Sequence, residues 1–269
     1  EDRFCLEGDT ILQRFSFSPN LALEGDSIKS DGGQIAARAL VCQNHDGTQT
    51  SKGELLIENL NIHFGALELL RMNTVLELPE IVPILQTEPA QPFSIAVANL
   101  GVPLTSGTGN LTIHKPDSLD IDNFGFDWAG GKVTSGPVRV RDGTIADGLK
   151  LGLSDLDLAK LVNLLQLGDQ LEALGTIGGD MTVSFLNGQP DDINGILASE
   201  GNGVLRYLGG DLGSDAASSL LADALSNFLF DKIEVKVAGK VTDEAKITRR
   251  LVGKSPDLHG GHPLDLEVS

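Results

Sequence analysis

Apolar and polar residues alternate with a period of two through most of the chain. The rhythm is present at Phe15 and Phe17, at Leu21 and Leu23, and at Leu60, Ile62 and Phe64, where Asn61 and His63 turn the other way. It returns at Leu111 and Ile113, at Leu119 and Ile121, and at Phe124, Phe126 and Trp128, with Gly125 and Asp127 between them. Beyond these come Val138 and Val140 against Arg139 and Arg141, then Leu149, Leu151 and Leu153, and then Met181, Val183 and Phe185. The last runs are Val235 with Val237, and Leu264, Leu266 and Val268. Successive side chains of a strand point to opposite faces, so each run describes a strand with one apolar and one polar face. Gly, Asn, Asp and Pro punctuate the runs about every ten residues, which predicts short antiparallel strands in series, wet on one side. The fold class is therefore mainly β.

Two segments carry helical spacing instead. Asp157 is placed to cap a helix in which Leu158, Leu161, Val162 and Leu165 fall on one face, with Gly168 positioned to stop it. Ser214 or Asp215 precedes a second stripe of Ala217, Leu220, Leu221, Ala224, Leu225 and Phe228. Helices are thus expected near 157–167 and 215–230. With one apolar stripe each, they belong on the apolar face of a sheet or across one end of it. Neither polar face is rich in Lys or Arg, which argues against insertion into a membrane surface.

Pro79, Pro83, Pro89, Pro92 and Pro103 cluster in one region, and Leu78 to Leu85 reads as a short helix or an irregular crossing. This divides the chain into an amino-terminal β segment, 1–102, and a longer carboxy-terminal unit, 103–269. A proline-rich crossover inside a single sheet fits the same residues.

Charge narrows the partners. The 38 acidic residues outnumber the 20 basic ones and give a formal net charge of −18. Nucleic-acid binding is driven by Lys and Arg neutralising phosphates, so nucleic acid is not an expected partner. An anionic leaflet would repel the chain as well, which leaves apolar contact as the route to lipid. No run approaches the length of apolar sequence that a spanning helix needs. The first residues, Glu1-Asp2-Arg3-Phe4-Cys5, lack the order of a signal peptide, as expected of a segment from within a longer protein. Cys5 and Cys42 allow a single intrachain disulfide, or they are two buried free thiols.

Chemistry is sparse. Neither a G-x-S-x-G elbow nor a phosphate loop occurs, and Gly130-Gly131, Gly178-Gly179 and Gly209-Gly210 read as turns between strands. His259 and His262 flank Gly260-Gly261 without the Cys, Asp or Glu that would complete a metal site. Asp117, Asp120, Asp122 and Asp127 form the densest acidic group, yet alternation turns Asp120 and Asp122 away from Leu119 and Ile121, to the solvent face. Lys236, Arg249 and Arg250 read as outward charges that keep strands soluble. The sequence thus reads as a protein that is not an enzyme and has no cofactor, metal or catalytic residue.

A family resemblance adds function. Its segments are Gly107-Thr-Gly-Asn-Leu-Thr-Ile113, Phe126-Asp-Trp-Ala-Gly-Gly-Lys-Val133, Leu156-Asp-Leu-Ala-Lys-Leu161 and Gly175-Thr-Ile-Gly-Gly179. They continue with Gly195-Ile-Leu-Ala198, Gly203-Val-Leu-Arg-Tyr207 and Ala224-Leu-Ser-Asn-Phe-Leu-Phe230, and end with Gly253-Lys-Ser-Pro-Asp-Leu258 and Gly261-His-Pro-Leu-Asp-Leu266. In order and spacing the chain from Gly107 onward resembles the carboxy-terminal region of the YdbH-like proteins, relatives of the AsmA and TamB families. Ser255-Pro256 departs from the family's usual Asn-Pro. The resemblance implies a long curved antiparallel sheet forming an open apolar groove in the periplasm, with 1–102 an amino-terminal segment of the same groove, within a protein anchored in the inner membrane by a segment outside this chain. It also implies that phospholipid, or another acyl-chain lipid, is carried between the inner and outer membranes, and it allows for a partner protein at the outer membrane. From alternation alone a closed sandwich or barrel core is the favoured reading, which would make the chain a scaffold or binding module of the cell envelope, and it is the resemblance that turns the reading to an open groove. Under the groove reading the lining residues are Leu111, Ile113, Leu119, Ile121, Phe124, Phe126, Trp128, Leu151, Leu153, Met181, Val183, Phe185, Val235, Val237, Leu264 and Leu266.

Overall fold

The computed structural model describes residues 3–13, 16–17, 28–64, 67–82, 84–99, 102–115, 118–141, 144–145, 147–186, 189–209, 216–240 and 246–268. Phe15, Leu21, Leu23, Asp117 and the capping candidates Ser214 and Asp215 lie outside them. The protein is mainly β, with antiparallel open sheet and two helices. Its residues form two compact units: Glu1–Asp127 with Thr134–Leu149 and Phe185–Gln189, and Trp128–Val133 with Lys150–Ser184 and Pro190–Ser269.

The first unit is built from β1 (Phe4–Leu12), β2 (Ser16–Phe17), β3 (Ile28–Gln43), β4 (Gln49–Phe64), β5 (Leu67–Leu78), β6 (Gln91–Asn99), β7 (Pro103–Lys115) and β8 (Ser118–Trp128). After β9 (Gly131–Ser135), which lies mostly in the second unit, β10 (Val138–Arg141) and β11 (Thr144–Ile145) complete it. Each strand from β3 to β8 pairs antiparallel with the next, β1 and β2 both pair with β3, and β10 pairs with β8. The described residues of the proline-rich stretch 79–90 form an irregular crossing from β5 to β6 that includes an isolated bridge, Glu80 to Gln86.

These strands are longer than the sequence rhythm implies; β3 and β4 each run 16 residues. The reason is a recurring bulge. A bulge inserts one residue and moves the alternation by one position. In β4 the apolar set passes from Leu55 and Ile57 to Leu60 and Ile62 across Asn59, whose φ is 48°. In β8 it passes from Leu119 and Ile121 to Phe124 and Phe126 across Asn123, φ 52°. Arg71 in β5 and Ser106 in β7 hold the same left-handed backbone. Gly33 does so in β3, where any Cβ would run into the Asn59 backbone.

The second unit continues through β12 (Leu149–Asp157), α1 (Leu158–Leu164), β13 (Leu171–Leu174), β14 (Thr176–Leu186), β15 (Gln189–Ser199), β16 (Gly203–Tyr207), α2 (Ala216–Leu225), β17 (Phe228–Lys240), β18 (Lys246–Lys254) and β19 (Pro263–Val268). Here β12 pairs with β9 and β14, β17 pairs with β15, β16 and β18, and β18 pairs with β19. The Asp157 side chain caps α1, accepting from the N–H of Ala159 at 2.9 Å and Lys160 at 3.2 Å.

Three details correct the sequence reading. α1 stops before Gly168: Gln166 takes the left-handed turn (φ 58°), and the N–H groups of Gln166 and Leu167 close onto the carbonyls of Asn163 and Val162. α2 ends at Leu225, because Ser226 donates to the Asp223 carbonyl and the chain turns into β17. Phe228 therefore belongs to a strand; it fits a period of two with Phe230 as well as a period of 3.6 with Leu225. Gly178 and Gly179 lie inside β14, where the Gly179 backbone passes close to the Ile196 carbonyl of β15.

Candidate functional site

Register decides which side chains share a face, because directly opposed residues of an antiparallel pair point the same way. In the first unit one series runs Leu12, Ile35, Ile57, Thr74, Phe93 and Gly109 across six strands. A parallel series runs Thr10, Ala37, Leu55 and Leu76, and a third runs Leu111, Ile121 and Val138. All belong to one apolar face. Its openness varies. Leu60, Leu76, Phe93 and Ile95 are buried, Ile35, Val41, Leu55 and Ile57 are half-buried, and Phe4, Leu6 and Leu12 of the edge strand are exposed. Neither helix belongs to this unit.

Aromatic rings close the face around β7. Phe124 lies 5.9 Å from Phe93 and 4.9 Å from Phe126, the latter pair edge to face. Phe126 lies over Gly107 and Phe93 over Gly109, each ring occupying the space that a Cβ would need. Of the lining residues inferred from sequence, Leu111 and Phe126 are buried here, and Ile113, Leu119, Ile121 and Phe124 are half-buried.

In the second unit much of the apolar face is occupied by the protein itself. Val162 of α1 and Leu225 of α2 form one core with Ala173, Leu205, Phe228, Phe230, Ile233 and Leu251, against which Leu221, Val235, Leu264 and Leu266 pack. A second cluster gathers Val133, Leu153, Leu156 and Ile177, with Trp128, Leu151 and Met181 against it. Among the described residues the buried indole N–H of Trp128 and the buried hydroxyl of Ser255 have no hydrogen-bond partner. Val183, Phe185 and Val237 are half-buried.

The opposite faces are polar and cross-linked. Asp120 accepts from Arg141 at 2.6 Å and lies 2.9 Å from the His114 ring. Burial opposes its ionisation, but these two contacts outweigh burial and hold the carboxyl below its ordinary value. Glu234 bridges Lys232 at 2.8 Å and Lys236 at 3.1 Å, and those hydrogen bonds lower its pKa to about 2. Arg250 grips Asp265 through two bonds of 2.9 and 2.7 Å, which raise the pKa of the one and lower that of the other. Such paired carboxylates are structural. Among the described residues no group of three His, Cys, Asp or Glu is arranged to hold a metal ion, and no helix is long and apolar enough to cross a membrane.

Two features escaped the sequence reading. The amino-terminal segment is expected to share the groove, but the residues of its apolar face in β1 to β6 go unnamed because bulges split their rhythm; the slip from Leu55 and Ile57 to Leu60 and Ile62 is the signal that reveals them. Arg249, read as an outward charge, is opposite Val235, on the apolar side, whereas Arg250 is opposite Glu234. Cys5 and Cys42 stand directly opposite in β1 and β3, 4.1 Å apart at Cα, and are joined by a disulfide.

No curated protein and no solved structure matches the chain. A family model described as YdbH-like, "Intermembrane phospholipid transport protein YdbH", matches residues 17–269. A match of that extent, over antiparallel sheet with an apolar face, identifies the chain as a member of the YdbH-like family.

Proposed function

We propose that this chain is the periplasmic segment of an inner-membrane-anchored protein that carries phospholipid between the inner and outer membranes along an apolar β surface. The observation that carries the reading is the apolar face of the first unit, in register from Leu12 of β1 to Gly109 of β7. Burying a methylene is worth about 0.8 kcal/mol, so a two-tailed lipid of about thirty methylenes crossing water unshielded would lose on the order of 20 kcal/mol. A conduit must therefore present greasy side chains without long interruption, and this face does. The disulfide between Cys5 and Cys42 fits an oxidising compartment such as the periplasm.

The competing reading, a packed β core serving as an envelope scaffold, is favoured where the face is filled, at the helix-covered end and the Leu153–Leu156 cluster of the second unit and under the aromatic rings around β7. Organic extraction of the purified chain followed by mass spectrometry separates the two. Phospholipid at near-stoichiometric amounts supports transport. Extracts free of lipid, together with no uptake of a fluorescent phospholipid, leave the scaffold reading standing.

A further inference from the structure

The apolar face of the second unit has two ends. At the helix end, Phe228, Phe230, Ile233, Leu251, Leu264 and Leu266 lie in the core that α1 and α2 complete. Farther along the same strands the face continues with Val235 and Val237 of β17 and, opposite them, Arg249 and Ile247 of β18. Val235 still packs against both cores of the unit; Val237 and Ile247 belong to neither, and Ile247 is 37% exposed. The apolar surface thus has a guanidinium set into it where the packed core ends.

Arg249 contrasts with its neighbours. On the polar side Arg250 is matched to Asp265, Lys232 and Lys236 to Glu234, and Lys240 to Asp191, while the exposed Lys246 and Lys254 of β18 stand on that wet side without an ion pair among the described residues. Arg249 is exposed and has no hydrogen-bond or ion-pair partner among the described residues, in a chain whose acidic residues greatly outnumber its basic ones. A solubilising charge belongs on the wet face, where Arg250 already is. A cation on the greasy face suits a ligand that is apolar along its length and anionic at one end. The planar fork of Arg matches two oxygens of a phosphate.

Resting on the lipid reading above, we propose that Arg249 binds the phosphate of a phospholipid whose acyl chains lie over Val237 and Ile247. The surface then selects phosphate-bearing lipids over neutral ones of the same chain length. α1 and α2, by filling the adjoining part of the face, set where the headgroup end of the lipid must stop.

The test measures binding of three probes to the full chain: dioleoyl phosphatidylglycerol, dioleoylglycerol and glycerol 3-phosphate. The wild-type chain is expected to prefer phosphatidylglycerol to dioleoylglycerol. Arg249→Gln loses about tenfold of its affinity for phosphatidylglycerol and none for dioleoylglycerol, a change that corresponds to one charge-assisted contact. Arg249→Lys recovers part of the preference, and Arg250→Gln leaves it intact. An unchanged preference in Arg249→Gln, with lipid still bound, overturns the assignment of Arg249 and leaves the transport reading untouched. Arg249-dependent binding of glycerol 3-phosphate as tight as that of phosphatidylglycerol marks a free-phosphate site and overturns the lipid placement. If the wild-type chain binds neither lipid, the transport reading itself falls and this inference falls with it.

Discussion

The two units build an apolar face by the same rule of alternation and treat it differently. In the first, the face is covered by no helix, and it grades from buried at Leu76 and Phe93 to exposed at Phe4 and Leu6. In the second, α1 and α2 lay Val162, Leu221 and Leu225 onto Phe228, Phe230 and Leu251, and that end becomes an ordinary core. The lesson is that alternation specifies a greasy face without specifying what covers it. A sheet face filled by its own helices is part of a fold, whereas one left unfilled has to be matched by a ligand or a partner.

The largest effect that sharpens this contrast is expected at Phe228, which is fully buried. Phe228→Ala should lower stability by about 3–5 kcal/mol in urea titration, while Leu55→Ala on the half-buried face of the first unit should cost clearly less. Equal losses would mean that both faces are packed alike. Next comes Gly107, whose missing Cβ makes room for the Phe126 ring. Gly107→Ala should cost about 1–3 kcal/mol through overpacking, and Gly107→Ala with Phe126→Leu should recover part of it. A smaller effect, about 1 kcal/mol, is expected from Asp157→Ala, which removes the α1 cap. Hydrogen exchange should place that loss in the second unit.

The smallest effect is a pH dependence on the polar side of the second unit. The Glu234 carboxyl is held down to about 2 by Lys232 and Lys236. A depressed carboxylate contributes stability that is present above its unfolded value, near 4.5, and is lost as pH falls toward 2. Thermal midpoints between those pH values should therefore fall less steeply in Glu234→Gln than in the wild-type chain. Identical slopes would show that these lysines do no more than flank the carboxylate.

Much of the architecture is legible in the residues. The strands, the polar side of Asp120 and Asp122, the cap at Asp157 and the family follow from alternation and short motifs. What escapes is whatever depends on register. Asn59 and Asn123 are of a type that tolerates a left-handed backbone without requiring it, and Arg71 and Ser106 give no hint of one, yet each shifts the alternation by one. Reading strands as strictly periodic therefore shortens them and leaves the apolar-face residues of the amino-terminal third unassigned. Phe228 fits two periods at once, and only the turn after Leu225 decides between them. Arg249 and Arg250 look alike in a sequence, and only pairing with β17 sends them to opposite faces.

The central claim is that acyl chains rest on the helix-free face of the first unit and not on the helix-filled end of the second. A photoreactive residue placed at Ile35, away from the Ile81–Val82 crossing that lies over Ser51 and Gly53, or at Leu264, with irradiation in the presence of phosphatidylglycerol and mass analysis of the adducts, tests it most directly. The account predicts a lipid adduct at Ile35 and none at Leu264. Adducts of equal yield at both positions, or adducts at Leu264 alone, would contradict it.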